Sequence, residues 1–185
     1  MREAGRLGTV VLSYPTWFSP RPQAWQALEE ARDHLQGIEV SVELRNPRWF
    51  EGSTCDSTLE WLEDHDLGFV CLDGPSKGPG ATPRVVAATS GVAMVRLCGR
   101  RCEDGHPWTW PYRYSDDEIT GWMPALRELA SGAEEVHVLF DNRWNGDAVD
   151  NALTLLAMLG SEQHGPSGIG ERMHDGSVVA HHPPS

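Results

Sequence analysis

Ile38-Glu39-Val40-Ser41-Val42-Glu43-Leu44-Arg45 alternates residue by residue, with Val40, Val42 and Leu44 on one face and Ser41, Glu43 and Arg45 on the other. Side chains two apart share a face of an extended chain, so this stretch predicts a strand with one apolar and one charged face. Four similar stretches flank it. Leu7 to Tyr14 is an apolar run ending at Pro15, and Leu67 to Asp73 is apolar until its last residue. Val92 to Cys98 sets Met94, Arg96 and Cys98 opposite Ala93, Val95 and Leu97. Val136 to Phe140 is apolar apart from His137, and Asp141-Asn142 closes it.

Helical patterns lie between these strands. Pro22 suits a first helical turn, Trp25, Leu28, Ala31 and Leu35 mark one face, and Gly37 ends the pattern. Ser57 to His65 carries Leu59 and Leu62. Ser115-Asp116-Asp117-Glu118 reads as a capping box opening a helix with Ile119, Trp122, Leu126 and Leu129, which Pro124 is expected to kink. A last helix is expected from Asp147 to Leu159, before Gly160. From Ser161 onward Gly, Pro, Ser and His dominate, which divides the chain into a folded domain, 1–160, and a disordered C-terminal tail, 161–185. Strands alternating with helices at about thirty-residue spacing imply an α/β fold with a parallel sheet. Periodicity alone favours an open doubly wound sheet, because a closed (β/α)8 barrel takes about 200 residues or more.

The 185 residues carry a net charge of −12 and include eight tryptophans, which excludes a disordered chain. No apolar run is long enough to span a membrane, and Leu7–Leu12 is too short for a signal-peptide core, so a cytoplasmic protein without a membrane partner is expected. Lys77 is the only lysine, and the acidic balance argues against a nucleic-acid partner. Arg84, Arg96, Arg100, Arg101 and Arg113 form a local basic exception that suits a small anion. Cys55, Cys71, Cys98 and Cys102 make no CxxC pair, and Cys71 reads as a reduced core residue.

The strand ends hold the chemistry. Glu43 with Arg45, Asp73, Arg96, and Asp141 with Asn142 all stand where strands finish, which is where parallel α/β folds build their sites. Arg96 on an inward face needs a carboxylate, and Glu43 and Asp73 are the natural partners. This set equally suits a polar network that only holds strands in register. His106 lies in a loop with Trp108, Trp110, Tyr112 and Tyr114, which would lid a pocket with aromatic walls or merely pack the loop down. The segment Asp73–Gly80 lacks phosphate-loop spacing, and no GxSxG, HExxH or GxGxxG is present.

Taken in order, five motifs resemble the YecE-like family, the domain of unknown function numbered 72. They are Tyr14-Pro15-x-Trp17-Phe18, Val42–Phe50, Cys71-Leu72-Asp73, Val95–Arg100, and Tyr112-x-Tyr114-Ser115 with Glu118 and Trp122. Phe140-Asp141-Asn142 with Ala148 and Asn151-Ala152 continues the match, which covers roughly Gly5 to Leu159. The resemblance implies a TIM-barrel-like fold with no established activity. It also implies a missing N-terminal part, since the family's Gly-Thr-Ser-Gly-Trp-like first strand and its Asn-Ser-Thr-Phe-Tyr segment do not occur here. Strands four to eight of a partial barrel would remain, and Met1 would fall in the helix before the fourth. The family usually carries His where Asn46 and Cys98 stand, which puts full activity in question.

The functional expectation is therefore a polar pocket at the carboxyl ends of the strands. Glu43 and Asp73 would be catalytic carboxylates, with Arg45, Arg96, Tyr114, Asp141 and Asn142 binding the ligand. The reaction would be hydrolysis or isomerisation of an anionic or sugar-like small molecule. No cofactor or metal is assigned, although Glu43, Asp73, Asp141 and His106 form the set a divalent ion would recruit. The alternative is a non-catalytic ligand- or partner-binding partial barrel, or an inactive truncated homologue. An open edge at Leu7–Tyr14 would then favour a homodimer.

Overall fold

The fold was analysed in a computed structural model that describes residues 8–75, 81–100, 111–142, 144–162, 172–174 and 177–181. Five parallel strands form its frame: β1 (Thr9–Tyr14), β2 (Glu39–Leu44), β3 (Gly68–Asp73), β4 (Val92–Leu97) and β5 (Glu135–Phe140). Helix α1 (Pro22–His34) crosses from β1 to β2, with Pro22 in its first turn as expected. A 3-10 turn (Pro47–Phe50) and α2 (Ser53–Asp64) lead from β2 to β3. Between β4 and β5 lie α3 (Asp116–Thr120) and α4 (Met123–Gly132), and α5 (Asp147–Glu162) follows β5.

The strands stand in the sheet in chain order, β1-β2-β3-β4-β5. A doubly wound sheet reverses order at a switch point and carries helices on both faces. This sheet does neither: the side chains of α1, α2, α3, α4 and α5 join one large apolar cluster with Val40, Val42, Leu44, Phe69, Cys71, Val95, Leu97 and Val138. The periodicity-based preference for an open doubly wound sheet is thereby corrected. Strand period alone sees burial on both faces and is blind to which face the helices take.

The opposite face carries a smaller cluster of Val70, Leu72, Met94 and Cys98, flanked by Val11 and Leu139. The parity read from Ile38–Arg45 and Val92–Cys98 thus assigns both faces correctly. Two other expectations change. Pro124 does not kink one helix but sits in the first turn of α4, after α3 has ended at its Gly121 cap. There its missing N–H costs no hydrogen bond. The capping box at Ser115 and Glu118 is present in full.

The segment expected to be a tail contributes backbone pairing. Helix α5 runs to Glu162, and β6 (Arg172–His174) and β7 (Ser177–His181) form an antiparallel hairpin whose β7 strand pairs with β5 from Glu135↔His181 to Leu139↔Ser177. An unpaired β5 would expose a row of backbone donors and acceptors, which this ladder satisfies. On the far side, β1 has no neighbour beyond β2 among the described residues.

Candidate functional site

On the face away from the helices, the parallel register sets Ser13 opposite Glu43. Arg96 and Asp141 come from the ends of β4 and β5 on that same face. Glu43 has no accessible surface, and its carboxylate is saturated. Oε1 accepts the Ser13 hydroxyl at 2.7 Å and Arg45 Nε at 2.5 Å, while Oε2 accepts Arg96 Nη1 at 2.5 Å. Arg96 donates its other terminal nitrogen to Asp141 Oδ2 at 2.6 Å. One guanidinium therefore bridges two carboxylates from strands that are not neighbours. Arg45, Arg96 and Asp141 keep about a fifth of their side-chain surface open, at 22, 18 and 20%.

The electrostatics follow from this geometry. Burial alone would raise the Glu43 pKa, but the Ser13 hydrogen bond and the charges of Arg96 and Arg45 outweigh it and hold the carboxyl below its ordinary range. On Arg96, burial works against the charge, and Glu43 and Asp141 more than compensate, so its pKa rises. Both partners are thus held in their ionised forms. A carboxylate so enclosed and so fully hydrogen-bonded does not exchange protons readily. Asp141 is the carboxylate of this network that reaches the surface.

Asp73 stands apart from this group. It shares strand parity with Phe69 and Cys71, so it lies on the helix side, and its expected partnership with Arg96 is not formed. Its carboxylate instead takes Arg100 through Nε at 2.9 and 3.1 Å and Nη2 at 2.7 Å, and Trp122 Nε1 at 2.6 Å. Arg100 Nη1 continues to Glu118 at 3.1 Å, and the Tyr112 hydroxyl donates to the same Glu118 oxygen at 2.5 Å. Asp141, rather than Asp73, is the second carboxylate on Arg96, because Asp141 falls on the odd-numbered face of β5 with Leu139.

Tyr114 and Asn142 are also brought together away from the Glu43 network. The Tyr114 hydroxyl accepts the Gly99 amide at 2.8 Å and donates to the Asp73 carbonyl at 3.3 Å, and burial raises its pKa strongly. Asn142 Nδ2 donates to the Tyr112 carbonyl and to Asn151 Oδ1, both at 2.9 Å. Asn151 in turn bonds the Tyr114 backbone at both its amide and its carbonyl. These side chains fasten the segment before α3 to α5. Ser13 and Asn151 were missed by sequence reasoning. Ser13 was recoverable from strand parity, whereas Asn151 carried no signal beyond its place in the motif order.

The two positions that depart from the resembled family are both occupied by satisfied residues. Asn46 caps the 3-10 turn, accepting the Arg48 amide at 2.9 Å and donating to the Thr16 carbonyl at 2.5 Å. Cys98 is buried in the smaller apolar cluster, where burial pushes its thiol up to about 12. No group of three or more His, Cys, Asp or Glu side chains suited to a metal ion occurs among the described residues. The set considered from sequence is divided, with Asp73 on the other face and His106 outside the described residues. No helix of the described residues is long and apolar enough to cross a membrane.

Comparison with known proteins agrees with this architecture. A family model described as "Protein of unknown function DUF72" matches residues 1–174. The UPF0759 protein YunF of Bacillus subtilis (strain 168) is 29% identical over 172 residues, which are 88% of this chain and 61% of that protein. The crystal structure of a DUF72 family protein from Enterococcus faecalis V583 superposes with a TM-score of 0.80 at 23% identity, covering 86% of this chain and 63% of that one. One from Thermotoga maritima MSB8 gives 0.74 at 29% identity, covering 86% and 60%. The fold is therefore α/β and TIM-barrel-like. This chain spans about three fifths of the length of each of these relatives.

Proposed function

This chain belongs to the DUF72 family, and from that premise we propose that the Glu43–Arg96–Asp141 network is the floor of a small-molecule site at the carboxyl ends of the strands. In this reading β1 to β5 correspond to strands four to eight of the barrel. The observation that carries it is the partial exposure of Arg45, Arg96 and Asp141 around a Glu43 that is wholly enclosed. Around that closed centre the exposed edges of Arg45, Arg96 and Asp141 offer donors and an acceptor within reach of a ligand.

The charges decide between ligand classes. Among the described residues two guanidinium groups and two carboxylates cancel, and the chain as a whole carries −12, so these charges do not favour an anion here. A neutral polyhydroxylated molecule suits it better, because its hydroxyls donate to Asp141 and accept from Arg45 and Arg96. Of the two reactions considered, isomerisation is favoured over hydrolysis. Glycoside hydrolysis ordinarily employs two carboxyl groups flanking the bond, and here Glu43 is closed off. Asp141 would move the proton, Arg96 would hold the developing oxyanion, and Glu43 would keep Arg96 in place.

Saturation-transfer NMR with neutral monosaccharides and their phosphate esters tests the binding half. Neutral sugars are expected to bind, and Arg96→Met is expected to abolish it. Deuterium incorporation into a bound sugar in heavy water, lost in Asp141→Asn, tests the chemistry. Exclusive binding of the phosphate esters, or no binding of any sugar, would overturn this reading. A second, non-catalytic reading rests on the outer edge of β1, which would pair with a second copy of the chain; it predicts association without turnover.

A further inference from the structure

A cavity of about 490 Å³ opens between the carboxyl ends of β3 and β4, lined by Leu72, Asp73 and Gly74, by the segment Ala81–Arg84, and by Arg100. Its size falls within the range of small-molecule pockets. Two polar groups on its walls are under-used. The first is Arg84. Its exposed guanidinium lies over the Trp122 ring, the central carbon 3.7 Å from the centroid, and Nη2 donates to the Gly121 carbonyl at 3.2 Å. It has no carboxylate partner among the described residues. Every other arginine named in this structure's clusters, Arg45, Arg96 and Arg100, holds at least one carboxylate.

The second is Thr82, which is only 6% exposed and whose Oγ1 has no hydrogen-bond partner among the described residues. A buried hydroxyl left unpaired costs free energy unless something supplies the missing bond. Thr82 and Arg84 lie two residues apart on one segment, and both line this cavity. The remaining charge on the wall is already consumed, since Asp73 is occupied by Arg100 and Trp122. Arg100 is matched by both Asp73 and Glu118, which leaves Arg84 as the cavity-wall cation without a carboxylate among the described residues.

We propose that this cavity binds a small monocarboxylate, with the Arg84 guanidinium pairing the carboxylate and the Thr82 hydroxyl donating a hydrogen bond to it. A carboxylate matches the planar fork of an arginine, and its single charge matches that of the Arg84 guanidinium. Ala81 and Pro83 offer an apolar wall for a short hydrocarbon body. The Trp122 ring fixes the guanidinium from behind, so little side-chain freedom is lost on binding. The proposal is independent of the sugar reading, because none of Glu43, Arg45, Arg96 or Asp141 lines this cavity.

The test is an NMR titration of the 185-residue chain with acetate, butyrate and benzoate, and separately with inorganic phosphate. The readout is the Trp122 indole N–H, which donates to Asp73 beneath Arg84. Saturable shifts with the monocarboxylates are expected, tightening from acetate to the longer acids. Arg84→Gln should weaken binding roughly tenfold or more, and Thr82→Val by roughly three- to tenfold. Arg84→Lys, which keeps the charge but loses the fork, should fall between native and Arg84→Gln. Arg96→Met should leave carboxylate binding unchanged, which separates this site from the sugar site. Absence of saturable shifts with every carboxylate would overturn the proposal. So would equal affinity in Arg84→Gln, or binding of phosphate in place of carboxylates.

Discussion

Replacing Glu43 by Gln keeps the side chain's shape and removes its charge, so it isolates what the enclosed carboxylate contributes. In the native protein that carboxylate accepts Ser13, Arg45 and Arg96, the last two at 2.5 Å. Removing one partner of a buried ion pair costs about 3–5 kcal/mol. The lower end applies here, because Arg45 and Arg96 are 22 and 18% exposed and Asp141 still holds Arg96. A loss of about 3 kcal/mol at neutral pH is therefore expected, read as a lower urea midpoint at unchanged slope. The pH dependence sharpens the test. In the folded protein Ser13, Arg96 and Arg45 hold the Glu43 carboxyl below its ordinary range. Its contribution is therefore complete above the unfolded-state value and lost as pH falls through the folded one. The gap between native and Glu43→Gln should be constant from about pH 7 to about pH 5 and shrink below that, as the native side chain is protonated. Other carboxylates titrate in both proteins and cancel in the difference. A gap under about 1 kcal/mol at neutral pH would refute the reasoning, placing the network among surface ion pairs. So would a gap that widened as the pH fell.

Other consequences are more local. Gly99 has φ +91°, and a Cβ there would sit 2.8 Å from the Tyr112 Cβ, so Gly99→Ala should cost about 2 kcal/mol or more in thermal or urea unfolding. Gly52→Ala, at φ +54° but in open space, should cost about 1 kcal/mol. The thiols of Cys71 and Cys98 are pushed up to about 11 and about 12 by burial, so at about pH 8 an aromatic disulfide reagent should label them only on the timescale of unfolding. The outer edge of β1 should make the 185-residue chain associate as its concentration rises in sedimentation experiments.

Most of the frame was legible because a parallel strand writes its two faces into alternate residues. The stretch Ile38–Arg45 separates Val40, Val42 and Leu44 from Ser41, Glu43 and Arg45, and the fold keeps that division. Where the reading failed, a tertiary contact decided the outcome. Pro124 is compatible with a kink or with a first turn, and α3 had already closed at Gly121. The hairpin of residues 172–174 and 177–181 lies in a stretch rich in Gly, Ser and His, whose composition argues for a tail. Its pairing depends on the edge that β5 presents, which no local pattern contains.

The site was half legible for the same reason. Glu43, Arg96 and Asp141 were identified as strand-end residues, and parity alone brings them to one face. Applied once more, parity would have separated Asp73 from them, because Val70 and Leu72 lie in one cluster while Phe69 and Cys71 lie in the other. The failure lay in treating every strand end as a shared mouth. At the last residue of a strand the side chain still obeys the pleat, and Asp73 turns toward Trp122 and Arg100. Two charged groups then form at one end of one sheet, one on each face. Asp73 and Asp141 are matched by guanidinium groups on β4 or just after it, and Glu43 by Arg45 after its own strand and by Arg96 two strands away. Arg84 breaks that rule, held by a ring and a carbonyl with no described acid beside it. In a chain with net charge −12, an arginine without a carboxylate is where a ligand's charge has room to act.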